Sequence, residues 1–126
     1  MAQTRTPRTI GHTYPRRGDV YDIEMDPVVG SEIGKRRPAV VVSNDLNNEH
    51  AATVTVAPMT SRPSERAYSF EALIPKGVAG LTSDSRVKVN QVKTVDKSRL
   101  VRFRGSLPAV HMAQVERALK IHLDLK

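Results

Sequence analysis

Side chains able to do acid–base or nucleophilic chemistry are thinly spread in this sequence. Its four histidines, His12, His50, His111 and His122, stand far apart, so their spacing gives no support to the paired imidazoles of a two-histidine ribonuclease. There is no cysteine, which removes a thiolate nucleophile, a thiolate metal site and a disulfide framework together. The sequence contains no glycine-rich phosphate loop, no dinucleotide fingerprint, no HExxH pair and no cluster of histidines and carboxylates at metal-ligand spacing, so neither cofactor nor metal is expected. Fixed positive charge is what the chain has in quantity. Twenty Lys and Arg against 13 Asp and Glu leave +7, with a pI of about 10.1, a balance that points to polyanions as partners. Residues 1–17 hold Arg5, Arg8, Arg16 and Arg17 and no acid, so they carry +4 and leave +3 for the rest. An arm that steers RNA and a leader that merely solvates the chain fit this stretch equally well. Aromatics at 4% and the lack of Trp argue against a broad base-stacking platform.

A length of 126 residues fits one domain. Residues 1–15 mix Thr, Pro, Arg and Gly without apolar period and read as a flexible basic leader, with the domain over 16–126. No apolar run approaches the roughly 18 residues of a membrane span, and the start lacks the apolar core of a secretory signal. The expectation is a cytoplasmic protein with no membrane partner. Residues 18–25 alternate Tyr21, Ile23 and Met25 against Asp22 and Glu24, the period of a half-buried strand. Residues 26–37, broken by Pro27, Gly30 and Gly34, read as a long exposed loop. Two β-branched runs, 38–43 and 53–59, predict strands joined by a polar loop. Further strands are expected at 69–74, 86–92 and 100–104. In the second of these Val87, Val89 and Gln91 face one way while Arg86, Lys88 and Asn90 face the other. From Leu107 to Leu125 the period changes, with Met112, Val115, Leu119 and His122 or Leu123 three or four apart, so an amphipathic helix closes the chain. The fold class is therefore mainly β, a small antiparallel sheet or barrel covered by a helix.

The string RRGDVYDIEMDPVVGSEIGKRRPAVVVSND, from Arg16 to Asp45, closely resembles the opening of the MazF/PemK family of toxin endoribonucleases. VAPMTS at Val56 to Ser61, the pair Asp84 and Ser85, NQVKTVDKSRL at Asn90 to Leu100 and the closing helix resemble that family's segments in order, so the resemblance spans about residues 16–125. It implies an SH3-like barrel akin to that of the gyrase-poison toxins. It also implies a homodimeric, metal-independent enzyme that cuts single-stranded mRNA at a short sequence and is neutralised by an acidic antitoxin. The catalytic pair it implies is Arg37, directly before the Pro of RPAVV, and Thr60, at the end of the following strand. Glu32 matches a loop carboxylate needed in some members.

The chemistry can be judged from the residue types alone. Metal-free RNA cleavage uses the 2′-hydroxyl as nucleophile, so a protein must accept its proton, stabilise a dianionic phosphorane and protonate the leaving 5′-oxygen. A guanidinium suits the second task, because its planar fork holds two phosphate oxygens and its charge persists at any working pH. The same permanence makes Arg37 a poor proton acceptor, and a carboxylate such as Glu32 fits that role better. A hydroxyl at Thr60 can donate to a non-bridging oxygen. Lys35, Arg36, Ser61, Asn90 and Gln91 are then candidates for holding RNA.

Each residue also has a plainer reading. Arg37 fits an exposed loop-end cation, Thr60 a strand terminus, Glu32 a screened partner of Lys35 and Arg36, and Asn90 and Gln91 cross-strand hydrogen bonds. Two other functions stay open at this stage, a non-catalytic RNA-binding module and a toxin directed at gyrase on the same barrel.

Overall fold

The computed structural model of the chain describes residues 13–61 and 71–126. The leader up to residue 12, the loop segment 62–68 and the first two residues of the strand expected at 69–74 lie outside them. Among the described residues seven strands follow one another: β1 (Asp19–Glu24), β2 (Arg36–Val41), β3 (Thr53–Thr60), β4 (Glu71–Ile74), β5 (Ser85–Lys88), β6 (Lys93–Asp96) and β7 (Leu100–Ser106). Helix α1 (Asp45–His50) lies between β2 and β3, and α2 (Ala109–His122) closes the chain. All strand pairings are antiparallel, in the order β4-β5-β3-β2-β1-β7 with β6 joined to β3. The fold is mainly β with a C-terminal helix, as expected. The hydrogen-bonded path nevertheless stays open, with β4 at one end and β7 at the other.

Alternation along the strands divides the core in two. Val20, Val40, Ala57, Met59 and Val87 turn to the face that α2 covers through Val115 and Ala118, and Tyr21, Ile23, Ala39, Val41, Val54 and Val56 turn to the opposite one. Both faces of β1 and β2 are thus apolar and covered, so β1 is buried through Ile23 rather than half-buried. Tyr21 meets Phe103 edge-on, with ring centroids 5.5 Å apart.

Other expectations change as well, beginning with the loop read over 26–37, whose last two residues, Arg36 and Arg37, are the first of β2 because they pair with Glu24 and Ile23 of β1. The polar stretch after β2 is not all loop: the Asn44 side chain accepts from the Asn47 N–H at 2.8 Å and starts α1. Buried Asn48 then donates to the Ser43 carbonyl at 2.9 Å. The strand expected over 86–92 stops at Lys88, and a tight turn over Val89–Gln91 leads into β6, which the sequence pattern did not reveal. The reason lies in β3, whose first half pairs with β6 and whose last two residues pair with β5. A chain serving both halves must break between them, and the Val92 N–H closes that break on the Val89 carbonyl at 3.1 Å. The last helix starts two residues later than expected and ends at His122. Met112, Val115 and Leu119 of its apolar stripe pack inward, while His122 and Leu123 stay exposed.

Candidate active site

The loop between β1 and β2 folds back on itself at Gly34, where a Cβ would stand 2.5 Å from Asp26 Oδ1 and 2.9 Å from Val28 Cγ2. Its neck is closed by the Met25 N–H donating to the Lys35 carbonyl at 2.9 Å. Just beyond, Arg37 is half-buried opposite Ile23 of β1, and its Nε donates to the Gly34 carbonyl at 3.0 Å. That bond orients the guanidinium and leaves its two terminal nitrogens for a ligand. The β2–β3 ladder pairs Ala39 with Pro58. The paired residues end there; counted on by two positions, the alternation of the two strands puts Arg37 level with Thr60 and on the same face. Thr60 in turn pairs with Arg86 of β5. By that count Thr60 stands between Arg37 of β2 and its own paired residue, Arg86 of β5. Arg86 bonds Glu71 at 2.9 Å, and Lys88 bonds the same buried carboxylate.

Six of the eight predicted residues line one of two clefts, while Thr60 and Lys35 line neither. One, of about 240 Å³, is lined by Arg36, Arg37, Pro38, Met59, Ser61, Leu81, Thr82, Ser83, Ser85 and Arg104. The other, of about 200 Å³, is lined by Glu32, Ile33, Pro58, Asn90, Gln91, Val92 and Lys93. Arg36, Arg37 and Ser61 are thus brought together, while Glu32 stands with Asn90 and Gln91 beside them. Lys35 is exposed at the loop neck and lines neither cleft. Glu32 accepts from the Val29 N–H at 2.9 Å through Oε1. Gln91 clamps the loop at both ends of its amide, accepting from the Ile33 N–H at 3.1 Å and donating to the Ser31 carbonyl at 3.3 Å. Asn90 is exposed at the rim of the same cleft.

Sequence reasoning missed Arg104 and the hydroxyls of Thr82, Ser83 and Ser85. Ser85 was marked only as part of the Asp84–Ser85 pair in the resemblance, with no role given to it, and long-range contacts bring all four to the cleft. Arg104 is anchored by Nε on Asp22 Oδ1 at 2.5 Å and by Nη1 on the Gly80 carbonyl at 2.9 Å. Arg36 lies 3.7 Å from Glu24, an exposed and therefore weak pair. Among the described residues no three His, Cys, Asp or Glu are placed to hold a metal ion, and no helix is long and apolar enough to cross a membrane.

Among the described residues, three guanidiniums and several hydroxyls, without a lining carboxylate, equip this first cleft to hold phosphodiesters. Comparison with known proteins agrees with that class. Residues 16–123 match the family of PemK-like, MazF-like toxins of type II toxin–antitoxin systems. The endoribonuclease MazF9 of Mycobacterium tuberculosis is 39% identical over 115 residues, covering 87% of this chain and 97% of its own length. The crystal structure of MazF from Deinococcus radiodurans superposes with a TM-score of 0.78 at 27% identity, over 90% of this chain and 100% of that one. A MazE–MazF structure from the same organism superposes at 0.71 with 24% identity, over 91% and 100%. The chain belongs to the PemK/MazF toxin family, and its enzyme class is that of an endoribonuclease.

Proposed function

We propose that the chain cuts single-stranded mRNA within a short sequence, without a metal, and so arrests growth in the cytoplasm. The observation that carries this reading is the cleft lined by Arg36, Arg37, Arg104 and four hydroxyls, with Arg37 held on the Gly34 carbonyl. The substrate's 2′-oxygen forms a bond to the adjacent phosphorus while the bond from phosphorus to the 5′-oxygen breaks. The products are a cyclic phosphate, which can open to a 3′-phosphate, and a 5′-hydroxyl. Arg37, held by Gly34, binds two phosphate oxygens as charge grows on them and can pass a proton to the leaving oxygen. The Thr60 hydroxyl donates to a non-bridging oxygen. Among the described residues Glu32 is the one carboxylate lining either cleft, and we assign it the proton from the 2′-hydroxyl. Its second oxygen remains for that task while the first accepts from Val29. Lys35, Arg36, Ser61, Asn90 and Gln91 hold the flanking RNA, with Gln91 acting through the loop that it clamps.

We further propose that residues 16–126 are the RNA-cutting domain behind the basic leader at 1–15, and that it works as a homodimer. Its neutralising partner is an acidic antitoxin whose tail lies across the same cations, a reading supported by the MazE–MazF complex of the Deinococcus relative.

The test is incubation of the protein and of Arg37→Ala with a long single-stranded RNA in excess EDTA, mapping the fragment ends. Discrete cuts with cyclic or 3′-phosphate ends, lost in the variant, are expected. Intact but bound RNA would replace this reading with a binding module, and intact unbound RNA with a protein target.

A further inference from the structure

The arginine-lined cleft extends well past Arg37, and its far wall is built by the fold. Gly80 and Gly105 let the turn Val78–Gly80 lie directly on β7: a Cβ on Gly80 would stand 2.5 Å from the Arg104 carbonyl oxygen, and one on Gly105 2.9 Å from Ala79 backbone atoms. That close approach carries Thr82 and Ser83 up to Arg104. Arg104 itself is held on two sides, by Asp22 and by the Gly80 carbonyl, with its side chain only 17% exposed. A guanidinium fixed in this way loses little entropy when it takes a ligand.

We propose that Arg104, with the Thr82 and Ser83 hydroxyls, forms a second phosphate subsite, which holds an RNA phosphate flanking the scissile one. The inference rests on the cleavage reading above and adds to it a residue outside the reacting centre. The lining chemistry selects the ligand. Among the described residues, the side chains here offer charged and hydroxyl donors and neither an aromatic surface nor a carboxylate or amide, whereas a nucleobase asks for stacking and for both donors and acceptors. Since an RNA strand carries a phosphate at every nucleotide, a strand engaged at Arg37 brings its neighbouring phosphates into the same cleft.

The experiment uses an RNA containing the cleavage site with a 2′-deoxy nucleotide at the scissile position, so that binding is read without turnover. For folded Arg104→Gln the dissociation constant should rise about tenfold or more. The slope of log affinity against log salt should fall by about 0.7. Replacing single flanking phosphates with neutral methylphosphonates should weaken the unmodified protein at one position and cost Arg104→Gln almost nothing more there. Unchanged affinity and slope, or additive losses at every phosphate, would overturn the proposal. Arg104 also balances Asp22, so Ser83→Glu, on the exposed loop, supplies a second reading that leaves that pair alone. It should weaken the same RNA at least as much, and unaltered binding by it would sink the idea. Loss of binding to an acidic peptide with RNA affinity intact in both variants would overturn it too, assigning the cleft to carboxylates. Failure of the unmodified protein to cut RNA in EDTA would strike the cleavage reading and the scissile reference point with it, while the salt slope and methylphosphonate losses, read on any single strand the protein binds, would still decide whether Arg104 holds a phosphate.

Discussion

Arg37 and Arg36 are neighbours in sequence with different surroundings. Arg37 is half-buried and tied by Nε to Gly34, whereas the Arg36 side chain is 60% exposed beside Glu24. A tied guanidinium is suited to a transition state, and a loose one to long-range attraction. Arg37→Lys keeps the charge but loses the fork, and kcat should fall by about 10²- to 10³-fold. Steady-state cleavage of a short RNA would measure it, and near-normal kcat would remove Arg37 from the reacting centre. Arg36→Ala should weaken RNA binding more than it slows cleavage of bound RNA, seen as a shallower salt slope with a modest change in kcat. An unchanged slope and dissociation constant would refute that role.

Among the elements, the turn Val78–Gly80 and the turn Lys97–Arg99 before β7 are the ones most exposed to single changes. Gly80 has φ +70 and no room for a Cβ against the Arg104 carbonyl. Gly80→Ala should therefore destabilise the protein by about 1–3 kcal/mol and raise KM as the cleft wall shifts, which thermal melts and cleavage kinetics would show. Asp96 caps the second turn by accepting from the Ser98 N–H at 2.8 Å. Bonds from the Ser98 side chain and backbone hold its carboxyl below the ordinary value of 3.8, with Arg99 adding to them and partial desolvation opposing. A carboxyl lowered in the folded state stabilises the fold above its ordinary value, and that contribution is lost as pH falls through the lowered one. Melts in acid should show the unmodified protein losing stability below that ordinary value more steeply than Asp96→Asn. Parallel curves for the two would contradict the role of the cap.

Over the whole molecule, a charge of +7 would make the proposed RNA binding a matter of ionic strength as well as contact. RNA affinity should fall linearly in log–log terms with salt, and a flat response would argue that the clefts do not meet phosphates. Sedimentation at micromolar concentration should give a dimer, and a stable monomer would count against the proposed assembly.

Much of the architecture is written in local pattern. Alternation at Tyr21 and Ile23, β-branched runs at Val40 and Val54, and the 3.6-residue period through Met112, Val115 and Leu119 each encode which side of an element must leave water, so strands and helix were legible in the sequence. So was the kind of chemistry available, since the absence of Cys and the excess of Arg are properties of composition. The candidate residues Arg37, Thr60 and Glu32 were legible only as a resemblance across ordered motifs, because an arginine before a proline has no intrinsic signature. Tertiary structure alone decided the rest. β3 divides its hydrogen bonds between β5 and β6, which no local period announces, and this division ends β5 early and creates the turn carrying Asn90 and Gln91. The close packing of Gly80 on β7 sets Arg104 in the cleft with Arg37, 67 residues away in the chain. Folding onto Gln91 puts Glu32 in the neighbouring cleft instead. Local sequence determines which face a side chain prefers. Which side chains finally meet depends on registers and close approaches, where burial and hydrogen bonding must be satisfied over the whole sheet at once.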